Sequence, residues 1–194
     1  RFNISRFETD FFIKHGIIHH KKFYAQWPNA EFRPISAKAD AGAIEQFWVD
    51  FKAEFPKDSG SKAMAELELS KKMMAMPDKP WLLRGGMFDG EKLIALSLCE
   101  KCGETLIIHI EKADIAYEGI YQVLVNEYAK CFVTPDVRYI NREEDVGDEG
   151  MRRSKESYHP VRLLEKYLVR IPVQPEKGET IMQEVYEFLK KCGT

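Results

Sequence analysis

The stretch that decides the fold is TLIIHIEKADIAYEGIYQVLVNEYAKCFVTPDVRYINREED, residues 105–145. It begins with an apolar run at 105–110 and ends with a second run at 137–140, and polar residues follow each run. Between the runs, apolar side chains recur at helical spacing: Ile120, Val123, Leu124, Tyr128 and Cys131. This spacing predicts a helix over 118–132. A strand, a crossover helix and a second strand imply a parallel pair with a right-handed connection.

Three short apolar runs lie at and before the start of this unit: Trp81–Phe88, Lys92–Cys99 and Thr105–Ile110. Asp89-Gly90 separates the first two runs, and this dipeptide is a strong hairpin signal. Glu100–Gly103 separates the second and third, with a glycine that can adopt positive φ. The three runs therefore predict an antiparallel meander that leads into the parallel unit.

The remaining patterns supply further helices and strands. They predict strands at 32–35 and 163–171 and helices at 44–55, 61–76, 147–157 and 179–191. Strands in series that lead into a βαβ unit indicate the α+β class with a mixed sheet.

Residues 1–28 are rich in aromatic and basic side chains and show no clean period. We interpret them as an N-terminal arm or linker, and residues 29–194 as the folded domain. Because the chain begins Arg-Phe-Asn without an initiator methionine, we expect an upstream domain to precede it.

Composition limits the function classes. The chain has 29 Lys and Arg against 31 Asp and Glu, a net charge of −2, so no global basicity points to nucleic acid. No run of 18 apolar residues predicts a membrane span. Four cysteines in a chain of 194 residues suit a reducing, cytoplasmic setting. Cys99 and Cys102 form half of a zinc knuckle without the second half, so a plain hairpin turn is favoured and no metal is expected.

Two polar clusters follow the two strands of the parallel unit, at 109–114 and 141–145. Ligands of α/β sheets bind at the carboxyl ends of parallel strands, where neighbouring strands diverge. The clusters therefore predict a ligand site, and the alternative is a set of solvated loop charges that pair with one another.

Five segments carry a family resemblance: HIEKAD (109–114), GIYQ (119–122), NREEDVGDEG (141–150), KESYHP (155–160) and EKY (165–167). They resemble the signature of uncharacterised bacterial proteins similar to the C-terminal domain of phosphatidylglycerol lysyltransferase. The resemblance implies a GNAT-like domain, often one of two in tandem. It also implies transfer of an aminoacyl or acyl group from a tRNA or thioester carrier to a small-molecule amine or hydroxyl acceptor.

The turn before the crossover helix departs from acetyl-CoA enzymes of this fold, which cradle a pyrophosphate on a glycine-rich turn. Here residues 112–119 contain one glycine, and Asp114 and Glu118 would repel a pyrophosphate. We therefore expect aminoacyl-tRNA as the acyl donor before acetyl-CoA. Two alternatives remain open: a non-catalytic module that binds a small molecule or partner, and a CoA-dependent N-acetyltransferase with an altered turn.

Acyl transfer requires a deprotonated acceptor and a stabilised oxyanion. The candidate catalytic residues are Glu111 and Asp145, to hold or deprotonate an ammonium, and Tyr158, to protonate the leaving group. The candidate substrate-binding residues are Lys112, Asp114, Tyr121, Asn141, Arg142, Glu143, Arg152 and Lys155. Among these, Asn141 and Arg142 would donate to an oxyanion or carboxylate, and Lys155 would hold a phosphate or carboxylate unless it belongs to a solvated helix face. Loss of transfer without loss of stability in Lys155→Ala and Glu111→Gln is expected from these roles.

Overall fold

The computed structural model describes residues 2–9, 17–53, 61–145 and 147–166. The strands in these ranges are β1 Phe2–Glu8, β2 Ala30–Pro34, β3 Leu82–Asp89, β4 Lys92–Cys102, β5 Thr105–Ala113, β6 Tyr139–Glu144 and β7 Arg162–Lys166. The helices are α1 Ile17–Gln26, α2 Ala41–Ala53, α3 Ser61–Met74, α4 Ile120–Phe132 and α5 Glu149–Glu156. No helix among the described residues is long and apolar enough to cross a bilayer.

All seven of these strands form one sheet in the order β2-β3-β4-β5-β6-β1-β7. Strands β2 to β5 pair antiparallel with their neighbours, whereas β5 and β6 pair parallel across the crossover helix α4. The predicted α+β class, with an antiparallel meander followed by a parallel βαβ unit, is therefore confirmed.

The core lies on both faces of the sheet. One cluster joins the sheet to α1 and α4 and includes Phe23, Ile94 and Val123, and a second joins it to α2 and α3 through Trp48 and Leu67. Every residue of β4 from 93 to 99 is buried, because helices cover both of its faces. This sandwich fixes the strands that carry the polar clusters.

Strands β5 and β6 pair over three residues and then separate. The parallel register runs from Thr105–Tyr139 to Ile107–Asn141. Beyond it, β5 stays on β4 as far as Ala113, and β6 stays on β1. The predicted strand ends at 110 and 140 are therefore too early, because most of each polar cluster continues the strand, to Ala113 in β5 and to Glu144 in β6.

A β-bulge decides which face each polar side chain of β5 occupies. Leu98 is opposite Ile110 and Cys99 is opposite Ile108, so His109 is an extra residue on β5. Ile108 consequently packs in the cluster with α4, and Ile110 packs in the cluster with α2 and α3. A one-residue shift exchanges the faces of a strand, so Glu111 follows on the α4 face.

The described segments 2–9 and 17–28 of the predicted arm contact the rest of the fold. Strand β1 lies between β6 and β7 and pairs antiparallel with both, and α1 packs against α4. These pairings join residues more than a hundred positions apart, so no local period in the sequence announces them. The predicted closing helix at 179–191, and the part of the predicted last strand after Lys166, lie outside the described residues.

We predict that Gly85→Ala destabilises the fold, because a Cβ at this position of β3 would lie 2.2 Å from the Phe32 ring. Overpacking of this kind costs about 1–3 kcal/mol. Gly42→Ala in α2 is the matched control, since nothing lies within 4 Å of its Cβ position. This control should be neutral or stabilising by up to about 1 kcal/mol. Urea denaturation would measure both changes, and equal stability of the two variants would contradict the packing described for β3.

Candidate functional site

A buried ion pair crosses the gap between β5 and β6. Glu111 comes from β5 and Arg142 from β6, one residue beyond the last paired position. Arg142 Nη2 lies 2.5 Å from Glu111 Oε2, and Nε lies 3.2 Å from Oε1. Burial has the largest single effect and lowers the pKa of Arg142, but the charge and hydrogen bond of Glu111, together with Tyr128 and Tyr158, outweigh burial and raise it. The guanidinium therefore stays charged inside the protein.

Tyr128 of α4 adds a third hydrogen bond to this pair. Its side chain is fully buried, and its hydroxyl donates to Glu111 Oε1 at 2.5 Å. Burial and the charge of Glu111 raise the pKa of Tyr128, so the hydroxyl remains a neutral donor. The sequence does not mark Tyr128 as a site residue, because a tyrosine on the apolar side of a helix is typical of the hydrophobic core.

One nitrogen of Arg142 has no role in the ion pair. Nη1 is buried and has no hydrogen-bond partner among the described residues. The Tyr158 ring lies over the guanidinium, with its centroid 5.4 Å from Cζ, and it packs edge-on against Phe7. Burial also raises the pKa of Tyr158. Nη1 is therefore a buried donor able to bind a ligand oxygen.

His109 makes a second link across the gap. Its Nδ1 lies 2.7 Å from Glu143 Oε1 of β6, and its Nε2 lies 3.0 Å from Glu100 Oε2 of β4. The hydrogen bond to Glu143 raises the pKa of His109, against the opposing effect of burial, and Glu100 adds to the rise. A doubly protonated imidazolium can donate to both carboxylates at once.

Lys155 of α5 has a different environment from the one predicted. Its Nζ donates to the backbone carbonyls of residues 142, 143 and 144, at 2.6, 3.2 and 2.7 Å. An ammonium has three donors, so none is left for the predicted phosphate or carboxylate. Burial, followed by the charge of Arg142, lowers the pKa of Lys155. Its replacement by alanine should therefore reduce stability, contrary to the expectation from the sequence.

Asp145 holds the connection between β6 and α5. It is 2% exposed, and its carboxylate accepts from Arg152 Nε at 2.6 Å and from the Gly147 backbone N–H at 3.0 Å. The bond from Arg152 lowers the pKa of Asp145. The two predicted site residues thus pair with each other beside the gap.

Lys112 and Asp114 lie away from the gap. Lys112 pairs with Glu66 of α3, on the face of the sheet opposite Glu111. Asp114 pairs with Lys92 at 2.9 Å and accepts from the backbone N–H of Ala116 at 3.0 Å. Both residues were predicted to bind substrate. In the structure Lys112 links β5 to α3, and Asp114 accepts from the turn that leads to α4.

Tyr121 and Asn141 make contacts to the backbone. The Tyr121 hydroxyl accepts from the N–H of Ala113 at 3.3 Å, and Asn141 Oδ1 accepts from the N–H of Glu143 at 2.8 Å. The structure therefore brings Glu111 and Tyr158 into contact with Arg142. Glu143 belongs to a separate link across the gap, with His109 and Glu100.

The hairpin predicted at the cysteine turn joins β4 to β5. Cys102 pairs with Thr105 across the predicted hairpin, whose turn residue Gly103 has φ +56°. Cys99 is buried on β4, whereas Cys102 is exposed. Among the residues that the structure describes, no group of three His, Cys, Asp or Glu side chains could hold a metal ion.

Comparison with known proteins identifies relatives of this chain. The sequence model described as "Phosphatidylglycerol lysyltransferase, C-terminal" matches residues 26–170. An uncharacterised protein of Mycoplasmoides gallisepticum is 23% identical over 137 residues, which cover 71% of this chain and 44% of that protein.

Two crystal structures share the fold. A conserved protein of unknown function from Bacteroides thetaiotaomicron superposes with a TM-score of 0.67 at 23% identity, over 84% of this chain and 57% of that one. The C-terminal domain of a protein assigned to the lysylphosphatidylglycerol synthetases, from Agrobacterium fabrum, gives 0.53 at 8% identity, over 83% and 57%. The chain thus spans about half the length of these relatives.

His109 should make stability depend on pH. Its pKa is raised above the ordinary value of 6.5, so the folded protein keeps a proton that the unfolded chain releases. The resulting stabilisation is complete below pH 6.5 and is lost as the pH rises through the raised pKa. Urea denaturation should show wild type losing its advantage over His109→Gln as the pH increases. Glu143→Gln should flatten the curve, and an advantage that does not change with pH would contradict this pairing.

Proposed function

The chain belongs to the family of the phosphatidylglycerol lysyltransferase C-terminal domain, and from that premise we propose that it transfers an aminoacyl or acyl group from a carrier to an amine or hydroxyl acceptor. The match to a lysyltransferase domain supports acyl transfer as the reaction type. The proposed site is the gap where β5 and β6 diverge.

The reaction sets the chemical requirements. The acceptor nitrogen or oxygen attacks the carbonyl carbon of an ester or thioester, and the carbonyl oxygen takes up negative charge. Collapse of the tetrahedral intermediate forms the new amide or ester bond and expels the hydroxyl or thiol of the carrier. The site must therefore offer a donor to the oxyanion, a group that takes the acceptor proton and a group that protonates the leaving atom.

The buried Nη1 of Arg142 is the observation that carries the proposal. It is a charged donor, fixed by the bonds of the other guanidinium nitrogens to Glu111, and it has no partner among the described residues. A preorganised donor in a dry environment stabilises developing negative charge more strongly than water does.

Glu111 and Tyr158 flank this donor. We assign Glu111 as the acceptor of the proton from the attacking group, because its carboxylate faces the same gap as the guanidinium. The raised pKa of Tyr158 keeps its hydroxyl protonated, as a donor to the leaving oxygen or sulfur requires. Asp145 is engaged with Arg152 and has no part in this step.

The turn before α4 favours an aminoacyl carrier over CoA. Asp114 accepts from the Ala116 backbone N–H, a donor of the turn where a pyrophosphate would otherwise be cradled. Glu118 adds a second carboxylate, paired with Lys22 at 2.6 Å on the surface. Aminoacyl-tRNA is therefore the donor that we propose.

Transfer of a radiolabelled group provides the test. Aminoacyl-tRNA and acetyl-CoA would be offered as donors, with amines and phosphatidylglycerol vesicles as acceptors. Arg142→Lys keeps the charge but loses the forked geometry, so kcat should fall by about 100-fold or more. Tyr158→Phe removes the proposed acid and should reduce kcat by about 100-fold.

Arg153→Gln is the matched control, because Arg153 is exposed on α5 and pairs only loosely with Glu149 at 3.7 Å. It should leave transfer unchanged, and circular dichroism should show that all variants fold. Ligand binding without transfer by wild type would instead identify a binding module. Transfer from acetyl-CoA alone would identify an acetyltransferase with an altered turn.

A further inference from the structure

We propose that Lys155 is a positioning residue, which clamps the carboxyl end of β6 in a bent conformation and thereby holds Arg142 in the site. Its effect on catalysis rests on the transfer function proposed above. The clamp itself is a feature of the fold that can be tested without activity.

The backbone bend is visible at Glu143. Carbonyl groups of successive residues in a regular strand point in opposite directions, so three in a row cannot converge on one atom. Here the carbonyls of residues 142, 143 and 144 all accept from Lys155 Nζ. Glu143 has φ +53°, a left-handed conformation that side chains rarely adopt. Asn141 stabilises the bend by accepting from the Glu143 N–H.

The position of the bend connects it to the proposed site. It begins directly after Asn141, the last residue of β6 paired with β5. Arg142 accepts from Lys155 through its carbonyl and donates to Glu111 through its guanidinium. The backbone that Lys155 holds is therefore the backbone from which the Arg142 side chain projects.

Lys155 is buried, and its helix α5 is fixed by two contacts of its own. It is 7% exposed, and no carboxylate lies within bonding distance of its ammonium in the described part of the chain. Asp148 caps α5 by accepting from Met151 N at 2.6 Å, and Arg152 ties the helix to Asp145. A buried cation whose donors all go to backbone carbonyls serves the main chain, because burying it is costly and all of its bonding capacity is used there.

Lys155→Met tests the clamp while preserving most of the buried volume. The first readout is the side-chain Nε–H signal of Arg142 in protein labelled with ¹⁵N-arginine, which reports its bond to Glu111. We expect this signal to shift or broaden in Lys155→Met. Arg153→Gln is again the control and should leave it unchanged. An unaltered Arg142 signal in Lys155→Met would overturn the clamp, whether or not the protein transfers any group.

The second readout is chemical rescue of Lys155→Ala. Propylammonium matches the atoms deleted beyond Cβ, so it should restore the melting temperature and the Arg142 signal in a saturable manner. Propanol lacks the charge and should restore neither, and propylammonium should not rescue Arg142→Ala. Rescue by propanol as well would mean that filling volume is sufficient and would overturn the clamp. If Lys155→Ala does not fold, Lys155→Met alone decides.

Kinetics separate positioning from a merely structural role. If wild type transfers a group, Lys155→Met should lower kcat by about 100-fold with little change in KM, because the Arg142 donor acts on the transition state. A wild-type kcat in a destabilised Lys155→Met would overturn the positioning role. Absence of transfer in wild type would refute the proposed function and leave the clamp to be judged by the Arg142 signal.

Discussion

The parallel pairing of β5 and β6 lasts for three residues, and the arrangement of the site depends on that brevity. Each strand then follows its other neighbour, β5 along β4 and β6 along β1. Polar side chains in the gap between the two strands are shielded from water, but β5 and β6 are no longer paired there. Buried charges persist only when they are paired, and the Glu111–Arg142 bridge supplies that pairing. The more exposed His109–Glu143 pair makes a second link across the gap.

Two helices, α4 and α5, hold the groups that line this gap. Helix α4 brings Tyr128 to Glu111, and α5 brings Lys155 to the end of β6. The bulge at His109 turns Glu111 toward α4, so the donor from the helix and the acid from the strand meet. Groups held by hydrogen bonds from two helices can be preorganised for a charged intermediate, which is the basis of electrostatic catalysis. The Bacteroides and Agrobacterium structures share this fold at low sequence identity, and a shared fold does not by itself define a function.

Much of the fold could be predicted from the sequence because its signals are local. The apolar spacing from Ile120 to Cys131 and the turn at Asp89-Gly90 depend on neighbouring residues, and the corresponding elements appear where expected. The approach of the two polar clusters could also be predicted, since parallel strands carry their carboxyl ends to one edge. Phe2–Glu8 has no such local signal, because its place is set by partners more than a hundred residues away.

The sequence by itself determined the order of helices and strands from Ala30 to Lys166, the parallel unit and the two polar clusters that approach each other. The tertiary structure decided which polar residues meet. In the structure Glu111 contacts Arg142 and Tyr128. Lys112 lies on the opposite face of the sheet, and Lys155 binds the main chain. A single inserted residue at His109 and the bend at Glu143 control these choices. The partner of each charged side chain depends on the strand face that it occupies and on how deeply it is buried. Face and burial are both set by contacts between distant segments.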